Sequence, residues 1–279
     1  VMATYRARVR ARNHVAAFIK SFYRRSDMSM LELTPDFIKE FAAYLSTEAG
    51  LRNGSIWANC MWLKGVVMKA HYNGLIPRNP FIQFHISPNV KEREYLTEDE
   101  LKAVMTHEFA DSKLAYIRDI FIFASFTALS FVDIQELTND NIVEVNGEKW
   151  ILSKRHKTKV AFQVKLLDIP LQIVERYRPM QKDNRIFPGL NYWSICKPLK
   201  RMIRECGITK SISFHCSRHG FATLALSKGM PIESVSRVLG HTNIVTTQLY
   251  AKITTQKLDN DLTMFGDKLS KTFNGITMS

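Results

Sequence analysis

The chain is 279 residues long and 46% hydrophobic, with 39 Lys and Arg against 26 Asp and Glu, a formal charge of +13. A chain of this length and apolar content buries a core and is not a disordered basic tail, so the excess charge sits on a folded surface and calls for a polyanionic partner. No run approaches the ~18 apolar residues of a spanning helix, and the opening VMATYRARVR lacks a signal peptide's apolar segment, so a membrane is disfavoured as that polyanion and the cytoplasm is the expected compartment.

Residues 1–90 hold 12 Lys and Arg against 5 Asp and Glu, a net +7, so the basic charge is concentrated at the front. Within ATYRARVRARNHVAAFIKSFYRR, Val9, Ala16, Phe18, Ile19 and Phe22 fall at helical spacing with arginines on the other faces. Thr34-Pro35-Asp36 is a helix start, with Thr34 as N-cap and Pro35 in the first helical position, and the helix stops at Gly50. Ser55 is the expected cap of a third helix through Ile56, Cys60, Leu63, Val66, Val67 and Ala70, closing at Asn73-Gly74. Pro77 and Pro80 restrict the residues before them, so a linker is expected over about 77–93 and a helical domain over 1–90. Arg6, Arg10, Lys64 and Lys69 are its candidate phosphate contacts; solvated surface charge is the plainer reading of any one of them.

A second domain is expected over 94–279. Thr97-Glu98-Asp99-Glu100 reads as a capping box opening a helix through Leu101, Val104 and Met105. LAYIRDIFIFASFTAL follows, apolar on almost every face and so buried in mid-domain, and then a helical segment from Ser130 to Leu137. Between Asn141 and Pro170 the period changes to strands: Ile142–Val145, an Asn146-Gly147 turn of the type I′ kind, Trp150–Ser153 and Val160–Leu167. Lys154, Arg155, His156, Lys157 and Lys159 crowd the second turn, more basic groups than protection of a sheet edge requires. Helices resume from Leu171, including WSICKPLKRMIRECG, which ends on Gly207. Cys60, Cys196, Cys206 and Cys216 show no CxxC spacing and are expected to be reduced thiols, with no metal or other cofactor implied.

The chemistry is concentrated in FHCSRHGFATLALSKGMPIESVSRVLGHTNIVTTQLY, residues 214–250. His215 and Arg218 at i and i+3 share a helix face and can reach one phosphate. Leu239-Gly240-His241 is a turn, or simply a glycine-capped helix end, and Tyr250 follows nine residues after His241. Alone, HxxR reads as surface and Tyr250 as a core tyrosine; the conjunction of guanidinium, imidazoles and phenol in one span is what points to phosphodiester chemistry. Beyond Tyr250, Leu258, Leu262, Phe265, Leu269 and Phe273 form one amphipathic stripe, which by default packs on its own domain and otherwise docks on a neighbouring copy.

HCSRHGFATLALSKG, VLGHTNIVTTQLYAKI and, more loosely, FTALSFVDIQELT resemble the tyrosine recombinase, or phage integrase, family, and within it the integrases of Bacteroides-type mobile elements. The resemblance implies a mainly α fold with a small antiparallel β-sheet: an N-terminal helical, SAM-like core-binding domain and a mixed α/β catalytic domain. It implies that Tyr250 attacks a DNA phosphodiester and holds a 3′-phosphotyrosine while a 5′-hydroxyl leaves, without metal or ATP. Arg218 would bind the non-bridging oxygens, with His215 and His241 as proton-handling and hydrogen-bonding groups and Lys157 as general acid. It further implies double-stranded recombination sites as partner, a homotetramer on DNA through an exchange helix over about 255–273, and a bacterial, nucleoid-associated location. An N-terminal DNA-binding segment before Val1 stays open.

One departure matters. The family's TGLR stands here as Thr127-Ala-Leu-Ser130, followed by Asp133, so the first catalytic arginine is a serine that carries no charge. Arg155, two residues before Lys157 and expected on the same strand face, is the candidate substitute; an ordinary phosphate contact is the alternative. Asp133 is expected to buttress His215 or Arg218, or else to act as a cap or a solvated surface charge. Ser130 also motivates the alternative of an architectural DNA-binding protein that has lost catalysis, and the chemistry alone leaves a type IB topoisomerase-like nicking-closing enzyme in contention. A covalent protein–DNA adduct would separate the enzymes from the architectural protein, and Holliday junctions would separate the two enzymes.

Overall fold

A computed structural model describes residues 2–87, 94–156, 159–181, 183–250 and 255–272. The chain divides into two compact units, Val1–Glu92 and Arg93–Ser279. Among the described residues it is mostly helical with one three-stranded antiparallel sheet, as the resemblance leads one to expect.

The first unit is built from α1 (Met2–Phe22), α2 (Pro35–Thr47) and α3 (Asn53–Tyr72). Thr34 caps α2 by accepting from the Phe37 N–H at 3.1 Å, with Pro35 in the first turn. The start of α3 is a correction: it begins at Asn53 after Arg52, which makes no side-chain cap, so Ser55 lies inside the helix. The buried stripe of α1 also differs in detail, since Ala11, Phe18 and Ile19 are buried while Ala16 and Phe22 are exposed. Phe18 anchors this core, with its ring 5.1 Å from Phe37 and 5.5 Å from Phe41. Arg6, Arg10 and Lys69 are exposed and Lys64 is half-buried, all on α1 and α3.

The second unit centres on α5 (Ser112–Thr127), which is buried on most sides and packs against α4 (Glu98–Thr106), α7 (Asp168–Tyr177), α8 (Tyr192–Glu205) and α9 (His215–Ser227). The capping box of Thr97 and Glu100 opens α4. The buried Asp119 ties α5 to α7 by accepting from Arg118, Arg176 and Tyr177 at 2.7–2.9 Å, so its charge is fully partnered. After the short α6 (Phe131–Gln135) come β1 (Ile142–Val145), β2 (Glu148–Lys154) and β3 (Ala161–Lys165) in the order β1-β2-β3. Asn146 and Gly147 both have positive φ, 52° and 77°, as a type I′ hairpin requires.

A smaller apolar cluster of Ala128, Ala222, Leu226, Val235 and Leu239 joins α9 to α10 (Ile232–Leu239), and α10 also packs on β3. The short α11 (Val245–Gln248) leads to Tyr250. The terminal helix α12 (Thr255–Thr272) leaves Leu258, Leu262, Met264, Phe265 and Leu269 exposed, which overturns the default expectation that this stripe packs on its own domain; Phe273 lies outside the described residues. Among the described residues no helix is long and apolar enough to cross a membrane.

Candidate active site

The site is built around the C-terminus of α10. Gly240, with φ 62°, closes that helix in a Schellman arrangement: the Gly240 N–H donates to Arg237 O and the His241 N–H to Ser236 O, both at 3.0 Å. Such an ending leaves the carbonyls of Val238 and Leu239 without intrahelical donors. Two buried arginines supply them: Arg155 Nη2 donates to Val238 O at 2.6 Å, and Arg218 Nη2 donates to Leu239 O. The Leu-Gly-His stretch is therefore a glycine-capped helix end and, at the same time, the element that gathers two guanidiniums beside His241.

Arg218, on α9, also donates through Nη1 to Ala128 O at 2.7 Å, where Ala128 ends α5 in a left-handed conformation at φ 57°. Burial and then repulsion from Arg155 pull its pKa down to about 10, which leaves it charged at neutral pH. Its five N–H donors exceed these two bonds, leaving capacity for an anion. His215 opens α9 and is exposed to solvent.

Arg155 reaches the site by a route other than the expected one. β2 ends at Lys154, so Arg155 is not on a strand. It sits in the turn, where its N–H donates to Val160 O and its carbonyl accepts from the Lys159 N–H, both at 2.8 Å, with Lys159 at φ 58°. That turn sends the side chain inward while Lys154, His156 and Lys159 stay exposed. The guanidinium donates through Nη1 to Asp133 Oδ2 at 2.7 Å, stacks 4.0 Å from the Phe162 ring centroid, and passes so close to Gly240 that a Cβ there would lie 2.8 Å from Nε. Lys157 lies outside the described residues, so its role as general acid stays an expectation.

Ser130 and Asp133 form one unit with Arg155. Ser130 caps α6, and its hydroxyl donates to Asp133 Oδ2 at 2.7 Å. Asp133 Oδ1 accepts from the His156 N–H at 3.1 Å. Burial alone would raise the carboxyl's pKa, but Ser130, Arg155 and the His156 N–H hold it below the usual carboxylate range. Of the roles open to Asp133, it takes the capping one, with Arg155 as its ion-pair partner, and its charge also favours the charged form of Arg218.

His241 Nδ1 lies 2.9 Å from the hydroxyl of the buried Thr247, on α11. Burial, followed by repulsion from Arg218, Arg155 and His215, lowers its pKa to about 4. Tyr250 is half-buried, its N–H donating to Thr247 O at 3.0 Å, and its ring lies near-parallel to His241 at 6.5 Å between centroids. His219, not singled out by sequence, also joins the group, 5.1 Å from Tyr250 and 4.6 Å from His215 by ring centroid; its position four residues after His215 was the available signal. A second feature that the sequence reading did not single out is the exposed basic face of α8, where Lys197, Lys200, Arg201 and Arg204 line an open depression.

Known proteins show the same arrangement of chain. Residues 94–257 match the phage integrase family, and residues 1–86 match the phage integrase SAM-like domain. The chain is 32% identical over 177 residues to the tyrosine recombinase XerA of Pyrococcus horikoshii, a match covering 58% of each, so it spans a little over half the length of that relative. It is 25% identical over 229 residues to the tyrosine recombinase XerC of Lactobacillus leichmannii, covering 77% of each. In fold it is similar to the Tn1549 transposon integrase in complex with a circular intermediate DNA, with TM-score 0.72, 18% identity and coverage of 84% of this chain and 86% of that one. It is likewise similar to a lambda integrase dimer bound to a COC′ core site, with TM-score 0.68, 17% identity and coverage of 89% and 87%. From its sequence matches over both units, the chain belongs to the phage integrase family.

Proposed function

We propose that the protein is a site-specific DNA recombinase that cleaves and rejoins DNA through Tyr250. The observation that carries this reading is the convergence of two buried guanidiniums, His241 and Tyr250 at the end of α10. The names of the relatives, tyrosine recombinases XerA and XerC, support it.

In this reading Arg218 holds the non-bridging oxygens of the scissile phosphate, and the buried charge of Arg155 stands in for the arginine absent at Ser130. Preorganised positive charge matters most as the pentavalent transition state gains negative charge. The Tyr250 oxygen attacks phosphorus, the bond to the 5′ oxygen breaks, and Lys157 gives that oxygen a proton; one ester replaces another, so no energy source is needed. His215, exposed at the start of α9, handles the phenolic proton. In this reading Thr247 donates to Nδ1, 2.9 Å away, so that the neutral His241 presents Nε2–H to the phosphate.

Arg6, Arg10, Lys64 and Lys69 of the first unit, together with Lys154 and Lys159 of the turn, contact the DNA backbone. The exposed stripe of α12 supports assembly into a homotetramer on DNA, with the tail docking on a neighbouring copy. The motif pattern of residues 214–250 supports placement among integrases of Bacteroides-type elements, acting on the bacterial nucleoid in the cytoplasm.

Incubation with a nicked candidate attachment site tests the reading. A covalent protein–DNA band that Tyr250→Phe abolishes is expected, followed by Holliday junctions with two sites. No adduct on any cognate site would leave an architectural DNA-binding role ahead, and adducts without junctions would favour a nicking-closing enzyme.

A further inference from the structure

We propose that His219 is a positioning residue that registers the Tyr250 ring against the helix carrying Arg218. The inference rests on the reading of Tyr250 as nucleophile.

Three observations lead to it. First, Tyr250 follows a helix of only four residues, with Leu249 76% exposed, and it is held by its N–H to Thr247 O at 3.0 Å and by packing against the apolar cluster of Ala222, Leu226 and Leu239. The direction of the phenol therefore depends on neighbouring side chains. Second, the two rings beside it differ in what they are tied to. His241 is bonded through Nδ1 to Thr247, inside the same short segment, at 6.5 Å from the Tyr250 ring. His219 belongs to α9, the thirteen-residue helix that carries Arg218 and packs against α5, and its ring is nearer, at 5.1 Å and tilted 48°. His219 thus places a ring of the helix that carries Arg218 directly against the Tyr250 ring, beside the apolar packing of Tyr250 on the cluster of Ala222 and Leu226.

Third, its setting suits a flat ring. His219 is 8% exposed, on a helix that goes on to the buried apolar Ala222 and Leu226. On its other side it meets His215 edge to face, ring planes at 88° and centroids 4.6 Å apart. Edge-to-face packing fixes ring orientation as well as distance. A ring held by His215 on the same helix face and touching Tyr250 transmits the position of α9 to the nucleophile.

Attack demands that register, because a misplacement of about 1 Å can cost ~10²-fold in rate. The test compares His219→Leu, which fills the volume without an aromatic plane, with His219→Phe, which restores a flat ring. Adduct formation on the nicked substrate is measured at saturating protein, and DNA affinity and Tm separately. For His219→Leu we expect cleavage slowed roughly 10- to 100-fold with DNA affinity within about twofold, and for His219→Phe recovery of most of that loss. Wild-type cleavage by His219→Leu overturns the proposal. So does a His219→Phe variant with wild-type Tm that is as slow as the leucine variant. Tyr250→Phe run in parallel separates the two levels: an adduct there sinks the nucleophile assignment itself, whereas a blank there with fast His219→Leu removes only the role of His219.

Discussion

At the scale of single residues, the site turns on how buried charge is arranged. Arg155 bonds Asp133 and Val238 O and lies close enough to Arg218 to depress its pKa, so it places a fixed positive charge beside the guanidinium that we propose binds phosphate. Arg155→Ala is expected to slow adduct formation by about 10²-fold or more. It should also lower stability by about 3 kcal/mol, since it leaves the buried carboxylate of Asp133 without its cation. Cleavage at the wild-type rate, measured below the variant's melting temperature, would reduce Arg155 to a structural ion pair. His241 gives a pH signature. Its folded pKa of about 4 lies below that of an unfolded imidazole, ~6.5, so as pH falls the unfolded chain takes up the proton first. Stability from neutral His241 is therefore complete above about pH 6.5 and lost on descending toward pH 4. Thermal melts across that window should fall steadily, and less steeply in His241→Gln; identical slopes would refute a depressed His241.

At the scale of elements, the C-terminus of α10 organises the candidate site. Its unsatisfied carbonyls and the negative end of its dipole favour cations, which eases the placing of two guanidiniums side by side. Gly240 is required twice over, for its positive φ and for the space that Arg155 occupies. Gly240→Ala is expected to cost about 1–2 kcal/mol from backbone strain alone, and more as Arg155 is displaced, so Tm and adduct yield should fall together. A variant that melts lower yet cleaves normally would show that Arg155 can move without consequence. The same end explains why Ser130 is compatible with the fold: it is the N-cap of α6 and a donor to Asp133, a role that serine performs well.

At the scale of the whole molecule, charge and apolar surface divide the tasks. The basic first unit and the exposed basic faces of α8 and the β2–β3 turn suit a polyanion. Among the described residues the tail helix exposes an apolar stripe, with Leu262 59% and Phe265 57% exposed on α12. Leu262→Asp combined with Phe265→Asp should leave cleavage of a single site within about threefold of wild type while removing higher-order protein–DNA complexes in native gels and Holliday junctions, as loss of buried apolar contact between copies demands. Unchanged assembly would show that another surface joins the copies.

Sequence by itself determined most of the elements and singled out the candidate reactive groups. Thr34-Pro35, the Thr97 capping box, Asn146-Gly147 and Gly240 act through local backbone preferences, and His215, Arg218, His241 and Tyr250 fall close together along the chain. The tertiary structure decided what local rules do not encode. Arg155 and Asp133 are 22 residues apart, and Arg155 and Val238 are 83, yet they meet because burial of a charge or a bare carbonyl is tolerated only where a distant partner arrives to pair with it. His219 likewise reads as one more histidine until folding sets it against Tyr250.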